Sequence, residues 1–220
     1  QFILKANQVM TLHDTYDEGV SMDALKTAYR EYRAMLKPLT QHQQLKAVLF
    51  QFPPFFERSN RNFHYLQRMV EWLPGVPIAV EFRNQSWYEE SVKDAVFSFL
   101  KDLGITHVIV DEPHALNDGV SFEPVVTNSK LALLRLHGRN QQGWSAKGAN
   151  WRSQRTLYRY SDQELAEFKQ TVEQLQQQAD EVCVIFNNNS GGDAADNAMA
   201  LKELLGVSFG DLGPHQLDLF

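Results

Sequence analysis

Charged and amide side chains at two-residue spacing follow short apolar runs all along this chain. Glu81 and Arg83 are two apart, as are Arg135, His137 and Arg139. Side chains alternate across a strand, so each set is expected to share one face. Leu134 and Leu136 then point toward outer helices, leaving the charges to point into the mouth of a sheet. Lys5 pairs with Asn7 in the same way, Gln51 follows Leu49, and Asn187 follows the last run. Asp111 or Glu112 contributes from a fourth run according to its register, and we place Asp111 with Glu81 and His137 as the catalytic set. Glu81 is the expected general acid or base, with its pKa set by Arg83, and His137 the second proton-transfer group. Lys5, Gln51, Arg83, Arg135, Arg139 and Asn187 are expected to hold the anionic groups of a substrate. The same residues also suit a structural ion-pair network plugging a barrel, since buried charges must be paired.

His137, Glu81 and Asp111 together offer nitrogen and carboxylate donors of the kind that hold zinc or manganese. A close histidine pair of the His-x-His or His-Glu-x-x-His kind is missing from the sequence, so a divalent metal is not favoured and no cofactor is assigned. The segment 187–193 is rich in asparagine and glycine before an expected helix. Asn189, Gly191 and Gly192 are therefore candidates for a phosphate cradle, against the simpler role of a helix start capped by Ser190 or Asp193. Between Gly138 and Tyr160 the chain carries Arg139, Lys147, Arg152, Arg155 and Arg159 and no acidic residue. That stretch is long enough to be a lid, with Trp144 and Trp151 available to stack on a ligand or to pack the loop down. Trp87, shortly after Arg83, is expected to line the same mouth.

The elements that must position these residues follow from the apolar pattern. Six runs, at residues 2–7, 47–53, 78–83, 107–112, 131–138 and 182–188, read as strands buried on both faces. Helical stripes intervene: Leu25, Ala28, Tyr29, Tyr32 and Met35; then Phe63, Leu66, Met69 and Val70; then Val92, Val96, Phe99 and Leu103. Ser161 and Glu164 form an expected capping box ahead of Leu165, Phe168, Val172 and Leu175. A last helix is expected from about Asp193 to Gly206, and none between the fourth and fifth strands, where Asn117, Asp118 and Gly119 lie. The alternation predicts an α/β fold with parallel strands, a single domain over 1–220, and a TIM-type (β/α) barrel with its site at the carboxyl ends of the strands.

Composition narrows the function. The net charge of −6 and an isoelectric point near 5.6 speak against general binding to nucleic acid or anionic membranes. Apolar stretches fall short of the roughly 18 to 20 residues of a membrane span, and the amino terminus does not read as a secretory leader, so a cytoplasmic protein is expected. Cys183, the single cysteine, sits inside an apolar run and reads as a small core residue.

The segments 49–56 (Leu-Phe-Gln-Phe-Pro-Pro-Phe-Phe), 80–87 (Val-Glu-Phe-Arg-Asn-Gln-Ser-Trp), 111–113, 135–140 with Gly143 and Trp144, 157–160, 186–197 and the terminal 216–220, taken in order, resemble the DUF72 family, also known as YecE-like or YunF-like proteins. The resemblance implies a TIM-type barrel of unestablished activity. Family members carry a Gly-rich, aromatic-ended first strand and a second strand ending near an aromatic pair, with no counterpart ahead of Gln1. A barrel lacking its first two βα units is therefore expected. The functional expectation is an enzyme, a hydrolase, isomerase or lyase, using acid and base chemistry on a small phosphorylated or carboxylated compound. The alternative is a non-catalytic module that binds a nucleotide or a nucleic-acid end. Oligomeric state is not legible in the sequence.

Overall fold

The computed structural model describes residues 1–13, 19–114, 119–145 and 151–208, with the side chains of residues 151 and 152 excepted. Its elements run β1 (Phe2–Lys5), α1 (Met22–Gln41), β2 (Leu45–Gln51), α2 (Asn60–Trp72), β3 (Ile78–Glu81), α3 (Lys93–Asp102), β4 (Thr106–Asp111), β5 (Ala132–Leu136), α4 (Gln141–Trp144), α5 (Trp151–Arg155), α6 (Asp162–Gln176), β6 (Val182–Phe186) and α7 (Asp193–Leu204). The strands form one six-stranded sheet in sequence order, with each neighbouring pair parallel.

The sheet is curled. Gln51 at the end of β2 accepts hydrogen bonds both from Lys5 on β1 (3.3 Å) and from Arg135 on β5 (3.2 Å). In a flat sheet β2 and β5 would stand about 14 Å apart at the usual strand spacing. Lys46 on β2 likewise reaches Glu181, just ahead of β6, in an ion pair across the concave side. Among the described residues β1 and β6 do not pair with each other, so the architecture is a curled parallel half-barrel flanked by helices. This is coarser than the closed barrel expected from the sequence.

Helices form where the apolar stripes required them. Leu25, Tyr29, Tyr32 and Leu36 are the buried face of α1, where Met35, expected on that face, is exposed and its neighbour Leu36 packs instead; Leu165, Phe168, Val172 and Leu175 are that of α6. Ser21, Ser59 and Ser161 cap α1, α2 and α6 by accepting from backbone N–H groups, and the capping box of Ser161 and Glu164 is complete. Residues 119–131 contain no helix, in keeping with the irregular unit read there; Asn117 and Asp118 lie outside the described residues.

Strand alternation sorts side chains into two compartments. Ala47, Leu49, Ala79, Val108, Val110 and Leu133 belong to the large core, while Ile109, Ala132 and Leu134 pack against Val172 and Leu175 of α6. Leu136 joins Tyr160, Leu165 and Phe168 on the same outer side. The largest apolar mass is a stack of Phe52, Phe56, Phe82 and Trp87, with ring centroids 3.9 Å apart for Phe52 and Phe56 and 4.2 Å for Phe82 and Trp87. Cys183 packs against the large core, and burial pushes its thiol pKa up.

Beyond β5 the alternation is broken at Gly138, whose φ of +90° suits glycine and whose N–H donates to Tyr160 Oη at 2.8 Å. A Cβ added there would lie 2.5 Å from Tyr158 Cβ. The substitution Gly138→Ala is therefore expected to cost about 1–3 kcal/mol of stability through left-handed backbone strain and the clash with Tyr158. Urea denaturation of the variant against the parent measures this, and an unchanged midpoint would contradict it.

Candidate functional site

The interior face of the sheet turns polar at its carboxyl end. Gln51 and Glu81 are register partners on β2 and β3, and Arg135 reaches over from β5. Glu81 is fully buried, and both of its oxygens are occupied. One accepts from Arg83 Nε at 2.6 Å, and the other from Arg135 Nη1. Burial alone would raise the Glu81 pKa, but the two guanidiniums outweigh it and hold the carboxyl well below its ordinary value. Arg83 turns its remaining nitrogens to Glu112, in an ion pair, and to His137 Nε2 at 2.9 Å. Asn187, continuing from β6, accepts from Arg135 Nη2 at 3.3 Å and lies 3.0 Å from His137 Nδ1.

The shifts at His137, Glu112 and Lys5 each have a nameable cause. Burial, then the neighbouring Arg83 charge, lowers His137 to about 3, so the ring is neutral and cannot serve as an acid at neutral pH. Burial raises Glu112 to about 7, against the pull of Arg83 and with the help of Glu81. Glu112 Oε1 also accepts from the Val120 N–H at 3.0 Å. Lys5 is lowered by burial and by Arg135, with Glu81 opposing.

These residues surround a cavity of about 1330 Å³. Lys5, Gln51, Arg83, Glu112, Arg135, His137 and Asn187 make its floor, and Phe52, Pro53, Pro54 and Phe55 one wall. Trp144, Ser153, Arg155, Thr156, Asn189 and Ser190 also line it, together with His13, Asn84, Gln85, His114 and Gly119. The Trp144 ring centroid is 4.7 Å from Arg155 Cζ and 5.9 Å from Arg83 Cζ. Two buried donors, Arg135 Nε and Trp144 Nε1, find no acceptor among the described residues.

Several residues expected at this mouth lie elsewhere. Asp111 follows Ile109 onto the outer face, where its carboxylate accepts from Arg139 Nη2 at 2.7 Å and from Tyr160 Oη at 2.7 Å. Glu112, one residue on, takes the inward position instead. Arg139 matches Arg135 and His137 in parity, yet Gly138 turns it outward to Asp111 and to Glu164 at 3.1 Å. Trp87 is wholly buried in the aromatic stack and donates to the Phe56 carbonyl at 2.7 Å. Gly191 and Gly192 are outside the lining. The first turn of α7 carries Asp193 and Asp196, both paired with Arg159, and their charge opposes an anion at that helix end. Among the described residues no three His, Cys, Asp or Glu side chains cluster as metal ligands, and the set of Glu81, His137 and Asp111 is split across the sheet. Lys147 lies outside the described residues, as do the side chains of Trp151 and Arg152.

Other residues at work here were not singled out from sequence. Glu112 and Arg155 were named only within a register ambiguity and a run of cations. Asn188 and Asn197 hold the segment 158–160 to the start of α7, with Asn188 Nδ2 donating to Tyr158 O at 2.8 Å and Asn197 Nδ2 to Tyr160 O at 3.0 Å. No periodicity marks buried amides of this kind.

A family model described as "Protein of unknown function DUF72" matches residues 1–217. This chain belongs to the DUF72 family. It is 41% identical over 222 residues to the UPF0759 protein YunF of Bacillus subtilis (strain 168), covering 100% of this chain and 78% of that protein. A DUF72 family protein of Enterococcus faecalis V583 shares 41% identity and superposes with a TM-score of 0.89, covering 99% of this chain and 78% of that one. A DUF72 family protein of Thermotoga maritima MSB8 shares 32% identity at a TM-score of 0.79, covering 94% and 74%. In this DUF72 chain no described helix is long and apolar enough to cross a membrane.

The shifted groups link stability to pH. His107, lowered to about 4 chiefly by burial, and His137 are neutral when folded and take up protons on unfolding below about pH 6.5. Their stabilising contribution is present above that value and is lost as the pH falls toward their folded pKa values. Glu112 has the opposite sign, since its folded pKa lies above its unfolded one and it releases a proton on unfolding between about pH 4.5 and 7. Stability is thus expected to fall on acidification from pH 6.5 to 5. In Glu112→Gln that slope should steepen by about one proton, or about 1.4 kcal/mol per pH unit. Urea midpoints at three pH values measure it, and parallel slopes would contradict the assignment of Glu112.

Proposed function

We propose that the mouth of this half-barrel binds a small anionic compound, phosphorylated or carboxylated, and performs acid–base chemistry on it. The observation that carries this reading is the excess of cationic donors over carboxylates. Lys5, Arg83, Arg135 and Arg155 border one cavity, against Glu81 beneath its floor and a Glu112 that is half protonated near neutrality. Lys5 meets Arg135, itself paired with Glu81, on the neutral oxygen of Gln51. Arg135 Nε and Trp144 Nε1, donors without an acceptor among the described residues, call for acceptor oxygens.

Glu112 is the proton-transfer group of this reading, because a pKa of about 7 matches the requirements of general acid–base catalysis and because it borders the cavity directly. Glu81 serves as the ionised anchor that fixes both guanidiniums, and His137 as a neutral acceptor that orients Arg83. The TIM-type barrel is the architecture that goes with this reading, supported by the strand order, the curl and the gathering of polar groups at the carboxyl ends. The alternative, a module for a nucleotide or nucleic-acid end without turnover, draws on a cavity roomy enough for a nucleotide and on the Trp144 indole within it.

Titration calorimetry with inorganic phosphate, pyruvate and short oligonucleotides separates these readings. Saturable binding of the small anions is expected, weakened about tenfold in Lys5→Met, which removes one charged donor without orphaning a buried acid. Failure of every small anion to bind, or equal affinity in the variant, would refute the proposal. Oligonucleotides that bind far more tightly than phosphate, with affinity collapsing as salt rises, would favour the binding module.

A further inference from the structure

We infer that Lys5 is a nucleophilic amine, placed to form an imine with a carbonyl compound that also bears an anionic group. The inference rests on the anion-binding reading of the same mouth and extends it to a substrate class.

Lys5 stands at the carboxyl end of β1, where its ammonium head borders the cavity. Its side chain differs from an ordinary structural lysine in its partners. Nζ donates to Gln51 Oε1 at 3.3 Å, and among the described residues no carboxylate comes within ion-pairing distance. The acids nearby are committed to others, Glu81 to Arg83 and Arg135, and Glu112 to Arg83. Arg135 Nη1 lies 3.2 Å from the same Gln51 oxygen. Among the described residues the charged groups acting on Lys5 are Arg135 from β5, Glu81 from β3 and Arg83 just beyond it, two cations and one anion that they already share. A lysine beside a fixed guanidinium favours its uncharged, nucleophilic form, because arginine cannot give up its own proton. The lowered Lys5 pKa agrees in direction.

The covalent step needs no outside oxidant or reductant. The amine lone pair attacks the carbonyl carbon, the C–N bond forms, and the carbonyl pair moves to oxygen. One proton passes from the nitrogen to that oxygen, an acid on the cavity wall gives it a second so that it departs as water, and the nitrogen returns a proton to that acid, leaving imine and water. Glu112 borders the same cavity, and its pKa of about 7 suits it to give and retake that proton. Arg135 and Asn187, hydrogen-bonded to each other beside Lys5, are positioned for the anionic end of the substrate. The substrate class is thus a keto acid or a phosphorylated aldehyde or ketone. A protonated imine draws electrons from the neighbouring carbon, so bond cleavage or proton exchange next to the former carbonyl is the chemistry it would serve.

The test uses the full chain near pH 7 with pyruvate or dihydroxyacetone phosphate, in the presence of sodium cyanoborohydride, followed by peptide mass spectrometry. A reduced adduct is expected on Lys5 several-fold faster than on Lys26 and Lys37 of α1, which lie outside this cavity, because the lowered Lys5 pKa leaves more free amine. Lys5→Arg, which keeps the charge, should lose that adduct and leave the slow labelling of the other lysines in place. Uniform labelling, or an unmodified Lys5 in protein that still binds phosphate, would overturn the imine while the anion site stands. Absence of both adduct and phosphate binding would remove the inference together with the reading beneath it.

Discussion

A carboxylate with no access to water holds this mouth together. Glu81 sits between Arg83 and Arg135, and an ion buried so completely persists only if its lone pairs are filled by well-placed donors. That requirement fixes the rest. Arg135 must reach from β5 to β3, which a flat sheet would not allow, so the curl of the strands and the pairing of the charge are one constraint. Arg83, held at one end by Glu81, presents its other nitrogens to Glu112 and His137 and sets the electrostatics of both. Burial drives both the neutrality of the imidazole and the high pKa of Glu112, with Arg83 adding to the first and opposing the second.

Much of this could be read from the residue pattern, because alternation is a property of the backbone and not of context. Gln51, Glu81, Arg135, His137 and Asn187 come together as period-two spacing requires, and the stripes of α2 and α6 lie on buried faces, while that of α1 holds as far as Tyr32 and ends on Leu36 in place of the exposed Met35. What escaped the pattern lies where the backbone stops being a strand. Parity cannot be carried through Gly138, so Arg139 was expected inside and is found outside. Asp111 and Glu112 are adjacent acids at the end of β4, and only the register of Ile109 against α6 decides which one turns inward. Trp87 follows Arg83 by four residues, but a short turn at residues 85–87 folds its indole back into the aromatic stack. Closure of the barrel is a long-range property that six apolar runs do not specify, and the described strands make a half-barrel.

The outer face is built with equal care. Asp111, Arg139, Glu164, Tyr158 and Tyr160 form a continuous network, in which Glu164 both completes the capping box of α6 and accepts from Tyr158 Oη at 2.7 Å. Asp111 also accepts the His137 N–H through its own carbonyl at 2.9 Å. The start of α6 and the end of β5 are in this way fastened through one residue, and the segment 158–160 is tied in turn to α7 by Asn188 and Asn197. Loops above the mouth rest on this frame.

The reversal at Gly138 separates two electrical environments that are neighbours in the chain. Arg139 is neutralised where it stands by Asp111 and Glu164, and a layer of apolar strand lies between it and the cavity. Its charge adds little to the potential felt by an approaching anion, which is governed by Lys5, Arg83, Arg135 and Arg155. One glycine thus acts as an insulator, letting the protein carry a strong cation on its outer surface without altering the field inside.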